Sequence, residues 1–529
     1  MIADELTYQI LQAFGFAPTA EQAAAIGTFC RFLIDRDDRV AMILRGSAGT
    51  GKTTLAGAMV KALAGLHQRM VLLAPTGRAA KVFSIGAGHA AYTIHRSIYR
   101  QKSMDEAGAD FGLNFNKHSD TLFIVDEASM ISDSGRGSEM LSFGTGRLLD
   151  DLIEYVYSGR NCRLMLIGDR AQLPPVGEEE SPALSAEVLG GYGMTVYEAD
   201  LNEVLRQSGE SGILWNATMI RRMITHDELT KLPEVRLSGF ADIRVVPGDE
   251  LIESLATSYS RVGQNETMVI TRSNKRANVY NRGIRAMVLG REEELCSGDM
   301  LMVVKNKYFE NEECNKNEKL RMKNEEFAAA VPDYRPENSS GAAESCTAFD
   351  GSLSSSGIAG ANSSFKEDSS FFIANGDRAS VRRVRNIHEM HGFRFADVTL
   401  LFPDYDDYEL TETVILDTLT TDAPALTREQ NERLFSAVMA DYADVPRKAE
   451  RMKMFKKDKY YNAMQVKFAY AVTCHKAQGG QWAHIYIDQG YMTDDMLTPD
   501  YIHWLYTAFT RATERLFLVN WPKTQIAGE

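Results

Sequence analysis

Short apolar, β-rich runs punctuate the first part of the chain: Val40–Leu44, Val71–Ala74, Leu122–Val125 and Leu164–Ile167. Each ends in a polar, Gly-rich or acidic turn, and helical stretches lie between them. This alternation predicts a parallel sheet covered on both faces. Ligands of such sheets bind at the carboxyl ends of the strands. A second set, Met268–Ile270, His484–Ile487 and Leu516–Val519, predicts another sheet split by a long insertion. Inside the insertion, Glu337 to Ser370 holds eleven Ser and four Gly in 34 residues, too little apolar surface to order itself. Arg378 to Val398 shows the alternation of β structure, so residues 371–460 read as a small inserted β domain. Arg447 to Lys459 carries seven Lys/Arg against two acids, either a solvated helix face or a phosphate-contacting surface.

The pattern divides the chain into 1–212, a first sheet domain; 213–310 and 461–529, two parts of a second; 311–370, an insertion with the Ser-rich stretch 337–370; and 371–460, the accessory β domain. A length of 529 residues calls for more than one core. With 44% hydrophobic and 25% charged residues the composition is that of a globular protein. No apolar run approaches the roughly 20 residues of a membrane span. The opening Met1-Ile2-Ala3-Asp4-Glu5 lacks the features of a secretory signal, so a cytoplasmic location without membrane contact is expected. The six cysteines form no C-x-x-C pair, which argues against a zinc site or disulfide framework. The net charge of −14 counts against a histone-like coating protein but leaves room for a local track of phosphate contacts.

Directly after the first apolar run stands Gly46-Ser47-Ala48-Gly49-Thr50-Gly51-Lys52-Thr53, followed by Thr54 and a helical stretch. This is the G-x-x-x-x-G-K-[ST] phosphate loop. Its glycines let backbone N–H groups turn toward phosphates at a helix start. Lys52 would neutralise the β- and γ-phosphates, and the Thr53 hydroxyl would complete a Mg²⁺ shell. Phe123-Ile124-Val125-Asp126-Glu127 is the matching acidic strand end, with Asp126 a Mg²⁺ ligand and Glu127 a general base toward water. Gly168-Asp169 leads into Gln172-Leu173-Pro174-Pro175-Val176. There Gln172 senses the γ-phosphate, or the segment is simply a Pro-rich turn. ATP and Mg²⁺ are the implied ligands.

Together these residues resemble superfamily 1 helicases of the RecD/Dda-like branch, whose further motifs follow in order. Gln22, in Thr19-Ala20-Glu21-Gln22, is similar to the family's adenine-reading glutamine. Ala74-Pro75-Thr76-Gly77-Arg78-Ala79-Ala80 and Thr93-Ile94-His95-Arg96-Ser97 resemble motifs that contact nucleic acid. Asn202-Glu203-Val204-Leu205-Arg206-Gln207 resembles the motif whose arginine reaches the γ-phosphate. Val472-Thr473-Cys474-His475-Lys476-Ala477-Gln478-Gly479 and Tyr506-Thr507-Ala508-Phe509-Thr510-Arg511-Ala512 resemble the last two.

The resemblance implies an α/β protein of two RecA-like parallel-sheet domains. A small β-hairpin wedge at 98–119 is inserted in the first, and a small β-rich, SH3-like domain in the second. Lys52, Glu127, Gln172, Arg206 and Arg511 would act in catalysis, the arginines as fingers worth roughly 10³–10⁵ in rate in other hydrolases. Pro75, Thr76, Gly77, His95, Asn274, Thr473, His475 and Lys476 would contact single-stranded DNA without reading sequence. His95 and His475 are otherwise structural, the hairpin segment an ordinary surface loop, and Phe83 either a core residue or a base-stacking partner.

The implied function is an ATP-dependent helicase moving 5′-to-3′ on single-stranded DNA and acting at single-strand/duplex junctions, as a monomer, with replication or repair proteins as partners. Alternatives are a nucleic-acid-independent ATPase switch, a single-stranded-DNA translocase without unwinding, a single-stranded-DNA binding or remodelling subunit that has lost hydrolysis, and, more remotely, a small-molecule kinase.

Overall fold

The computed structural model describes residues 2–105, 108–135, 141–203, 211–225, 231–308, 372–405 and 407–528. Arg206 and the Ser-rich stretch 337–370 lie outside the described residues. The chain forms two units, one from residues 1–306 and 374–529 and another from 307–373. Of the latter, the described part is an antiparallel pair, Lys307–Tyr308 with Phe372–Ile373.

The four predicted runs of the first region are strands of one six-stranded, all-parallel sheet. Its order is Ala91–Thr93, Arg69–Ala74, Thr121–Val125, Arg163–Gly168, Val40–Gly46 and Thr195–Leu201. Every residue of Val40–Gly46 and Thr121–Val125 is buried, as expected of strands covered on both faces. The helices Ile2–Phe14, Ala20–Ile34 and Lys52–Gly65 bury Leu6, Ile10, Phe29 and Leu55 in the same core as Val40, Leu72 and Ile124. Phe83 is fully buried in it too, which makes it a core residue and not a stacking partner.

Two strands escaped the hydrophobic pattern. Ala91–Thr93 is three residues long, and Thr195–Leu201 is an edge strand with polar positions. Glu198 and Asp200 of the latter face Arg45 on the neighbouring strand, where Asp200 pairs with the guanidinium at 2.7 Å. In the segment 98–119, Tyr99–Asp105 and Gly108–Leu113 form the predicted hairpin, and Leu141–Phe143 adds a strand parallel to the second arm.

The second sheet is also all parallel, ordered Ile243–Val246, Ala512–Val519, Trp482–Asp488, Thr267–Thr271 and Ala471–Thr473. A closed five-stranded barrel accompanies it, built from Met300–Val303, Arg378–Met390, Phe393–Phe402, Tyr408–Ile415 and Met464–Phe468. Its first and last strands therefore fall outside the span 371–460 expected for the β domain, and the boundaries at 310 and 461 shift accordingly. Met-Leu-Met-Val is as apolar as any sheet strand, so its pattern alone does not say which core it joins. The basic run is a helix, Lys448–Lys456, whose Phe455 is buried with Phe393, Phe395, Leu434 and Val438. Lys453, Lys457 and Lys459 are exposed.

Among the described residues no helix is long and apolar enough to cross a membrane. Four described cysteines, Cys30, Cys162, Cys296 and Cys474, are free thiols.

Candidate nucleotide site and nucleic-acid face

The phosphate loop leaves the strand Val40–Gly46 and closes on the helix Lys52–Gly65. A Cβ at Gly46 would sit 2.8 Å from Thr50 Oγ1 and 2.9 Å from the Leu201 carbonyl, so only glycine fits that bend. Gly51 takes φ +83 and caps the helix without a side chain, leaving the first N–H groups directed at the loop's concave side. Thr50 Oγ1 donates to the Ser47 carbonyl at 2.9 Å. Lys52 Nζ donates to the carbonyls of Gly46 (2.6 Å) and Ser47 (3.0 Å), which puts its ammonium inside the bend. Thr53 is half-buried, Thr54 exposed.

Gln22 is 1% exposed, with its amide held by protein: Oε1 accepts from Thr19 N (3.1 Å) in a capping box, and Nε2 donates to the Thr50 carbonyl (3.1 Å). Gln22 thus braces the phosphate loop, and the adenine-reading role its motif implies calls for one of these bonds to be exchanged.

Asp126 follows the buried strand Thr121–Val125. Burial and the adjacent Glu127 carboxylate push its pKa well above the ordinary carboxylate range, opposed by the Glu127 N–H and the Lys52 charge. Glu127 itself adopts φ +53, a left-handed conformation costly for a non-glycine residue. Gln172 is buried and among the described residues its Oε1 has no partner, a condition that costs about 1–3 kcal/mol and suits an acceptor that an incoming donor satisfies.

The second domain reaches this site through the helix Pro499–Phe509. Tyr506 Oη accepts from the phosphate-loop Ala48 N–H (3.1 Å) and donates to Asp169 Oδ2 (2.7 Å). Thr507 Oγ1 accepts from Leu173 N–H at 2.7 Å, and His503 Nδ1 donates to the carbonyls of Ala171 (2.9 Å) and Gln172 (3.2 Å). Gln478 Nε2 donates to the Leu173 carbonyl at 2.7 Å. Arg511, 2% exposed, spends its guanidinium on the Thr507 and Gly480 carbonyls and Thr510 Oγ1, all within the second domain. The structure does not bring it to the phosphate loop. Thr507→Val keeps the shape and removes Leu173's acceptor. We expect a loss of about 1–3 kcal/mol, read as a lower midpoint of thermal unfolding, because a buried N–H is left unpaired.

The predicted nucleic-acid residues stand on another flank. Thr76 caps the helix Gly77–Ala87, its Oγ1 accepting from Ala79 N–H at 3.2 Å, and Pro75 precedes it half-buried. His95 lies on the short helix Ile94–Ile98 beside Tyr99, and burial holds its imidazole down to about 4, so it is neutral at pH 7. Asn274 opens the helix Asn274–Gly283. Thr473 and Lys476 are half-buried and His475 exposed, at the edge of the second sheet. The two domains' motifs meet here: a Cβ on Gly479 would lie 2.9 Å from Thr76 Oγ1, and Arg78 stacks 4.6 Å from the Trp482 ring. Gly77 is buried under the barrel, where a Cβ would fall 2.5 Å from Asp377 Oδ1 and 2.8 Å from Tyr405 Oη.

Motif reading missed Tyr506 and Thr507, although they sit in the segment quoted for Arg511, and it missed His503 and Arg221 entirely. Arg221, on the helix Gly212–Thr225, donates to Ser47 Oγ at 2.8 Å. Position in a motif could have flagged the first two; nothing local marks the others.

Two family models match in order: the AAA domain over residues 17–232 and the UvrD-like helicase C-terminal domain over residues 468–519. An ATP-dependent RecD2 DNA helicase of Deinococcus radiodurans is 32% identical over 179 residues, 33% of this chain and 20% of that protein. An uncharacterized protein of Methanocaldococcus jannaschii is 36% identical over 148 residues, 26% of this chain and 11% of its own. The chain thus aligns with a fifth or less of these relatives' lengths. Similar solved structures include a Pif1 helicase from Bacteroides in complex with ADP-AlF3 and ssDNA, 15% identical over 97% of this chain and 95% of that one, with a TM-score of 0.41. The Pif1 helicase from Candida albicans is 14% identical over 97% of each chain, with a TM-score of 0.39. Both matched domains stand in this order on one chain, and the motif residues of each are carried on two parallel sheets, so the protein is similar to superfamily 1 helicases of the RecD-like side.

Proposed function

We propose that the protein is an ATP-dependent DNA helicase that translocates 5′-to-3′ on single-stranded DNA and separates strands at single-strand/duplex junctions. One observation carries this reading. The second domain grips the nucleotide-site turn at residues 169–173 through His503, Tyr506, Thr507 and Gln478, and the same domain's Gly479 abuts Thr76 on the nucleic-acid face. A shift of the Gln172 turn is therefore delivered to the nucleic-acid motifs. A differential contact in two states is what a ligand-driven motor requires. A nucleotide switch that ignored nucleic acid would have no use for the Thr76–Gly479 juxtaposition.

In this reading Lys52 and the loop N–H groups of 47–54 hold the triphosphate, and Glu127 takes the proton of the attacking water while Gln172 Oε1 orients it. Thr53 and Asp126 fit a Mg²⁺ ion: among the described residues the Thr53 hydroxyl has no hydrogen-bond partner, and a buried carboxylate raised by its neighbour suits a cation. Bound there, Mg²⁺ would neutralise phosphate charge. Arg206 and Arg511 complete the site when the domains close. Pro75, Thr76, Gly77, His95, Asn274, Thr473, His475 and Lys476 take the DNA backbone, and the hairpin at 99–113 serves as the wedge. The protein acts as a cytoplasmic monomer alongside replication or repair proteins.

The test is ATP turnover with and without an oligonucleotide, followed by unwinding of duplexes carrying a 5′ or a 3′ single-stranded tail. Stimulated turnover with opening of the 5′-tailed duplex alone is expected. Opening of the 3′-tailed duplex alone reverses the polarity. Turnover indifferent to nucleic acid overturns the helicase reading.

A further inference from the structure

Arg221 lies on the helix Gly212–Thr225, which packs against Pro499–Phe509 and so sits on the second-domain side of the nucleotide site. Its Nη1 reaches Ser47 Oγ at 2.8 Å, and its Nη2 donates to Asn202 Oδ1. Lys52 Nζ contacts the same residue at its backbone, 3.0 Å from the Ser47 carbonyl. Two cations thus converge on one neutral loop residue, and among the described residues Arg221 makes no ion pair. A half-buried guanidinium with only neutral acceptors is matched chemically by an oxyanion, for which its planar fork is suited. Arg511, by contrast, is satisfied by carbonyls of its own domain.

We propose that Arg221 is a phosphate-reading residue of the nucleotide site: it exchanges Ser47 Oγ for the terminal phosphate of a bound nucleoside triphosphate, and so makes ATP distinguishable from ADP on the second-domain side. This deepens the ATPase reading above and rests on it. The contact also gives the helix Gly212–Thr225 a direct share in sensing whether the terminal phosphate is present.

The experiment compares the full-length wild type with Arg221→Ala and Arg221→Lys, measuring ATP and ADP affinity by displacement of a fluorescent nucleotide, and kcat and KM for ATP. Loss of a charge-assisted contact predicts that R221A weakens ATP about 10–100-fold while ADP affinity stays within about 3-fold. The kcat is expected to fall about 10²-fold, with R221K intermediate because a point charge replaces the fork. An ATP-to-ADP affinity ratio unchanged in R221A, or equal weakening of both nucleotides, overturns the proposal and leaves Arg221 a tether of the loop. If R221A does not fold, R221K decides by the same ratio, an unchanged ratio overturning the proposal. Since that ratio needs neither DNA nor turnover, it fails or succeeds separately from the helicase reading, which DNA-stimulated turnover tests.

Discussion

Glu127→Gln is expected to lower ATP turnover by roughly 10²–10⁴-fold while ATP affinity stays within a few fold, because it removes a proton acceptor and almost nothing else. Glutamine is nearly isosteric and can take the same left-handed φ of +53. The backbone N–H of residue 127, which bonds Asp126 Oδ1 at 2.9 Å, is untouched. Loss of the neighbouring carboxylate also removes one of the two causes that raise Asp126, leaving burial as the main one. Single-turnover hydrolysis with saturating oligonucleotide, alongside nucleotide binding, separates the chemical step from affinity. Turnover within about threefold of wild type would remove Glu127 from the role of base, given the range typical of such groups.

Asp377→Asn should stabilise the protein increasingly as pH rises. Asp377 is 3% exposed, and burial pushes its pKa from 3.8 up to about 7, against the Tyr405 hydroxyl and the Ala374 N–H, which both favour the carboxylate. The folded protein therefore binds a proton that the unfolded chain has already released. The stability this proton contributes is complete below pH 3.8 and is lost as pH rises through about 7. Both donors fall on the same oxygen, Oδ2, so an asparagine carbonyl can keep both bonds while its NH₂ takes the place of Oδ1. The variant's advantage over wild type should widen by about 2–3 kcal/mol between pH 5 and pH 8, at about 1.4 kcal/mol per pH unit up to about pH 7 and levelling off above it. Thermal unfolding of both proteins at the two pH values measures it. A gap that is constant or narrows with pH would mean that Asp377 is charged in the folded state.

What the sequence made legible follows from where each signal resides. The interior strands of both sheets announced themselves because covering both faces makes a strand apolar throughout, as in Val40–Leu44. Edge strands have no such obligation. Thr195–Leu201 exposes part of its length, and Ile243–Val246 carries Arg244 over the Phe517 ring, so neither produced an apolar run. The barrel was recognisable in its long antiparallel strands but not in Met300–Val303 and Met464–Phe468, whose pairing with each other is a long-range fact.

The same division holds at the nucleotide site. Phosphate recognition is local, so Gly46 to Thr53 is contiguous and readable. Coupling between domains is not. His503 and Arg221 act across hundreds or scores of residues, and their spacing carries no signature. Motif membership also proved silent about state: Gln22 and Arg511 occupy their motif positions, yet their polar atoms are engaged by the protein's own backbone.

The strand order of the second sheet dictates a timetable. Its second member, Ala512–Val519, is laid down last but pairs on one side with Ile243–Val246 and on the other with Trp482–Asp488. A growing chain completes the first sheet by Leu201, whereas Ile243–Val246 must wait for its neighbour until more than 260 further residues have been made. At about 5–20 residues per second that delay lasts tens of seconds, during which open sheet edges invite pairing with other nascent chains. The order in which the chain is made therefore leaves the half of the molecule built on the second sheet dependent on its environment for longest, and slow synthesis or a shortage of chaperones should cost that half its fold before the half built on the first sheet.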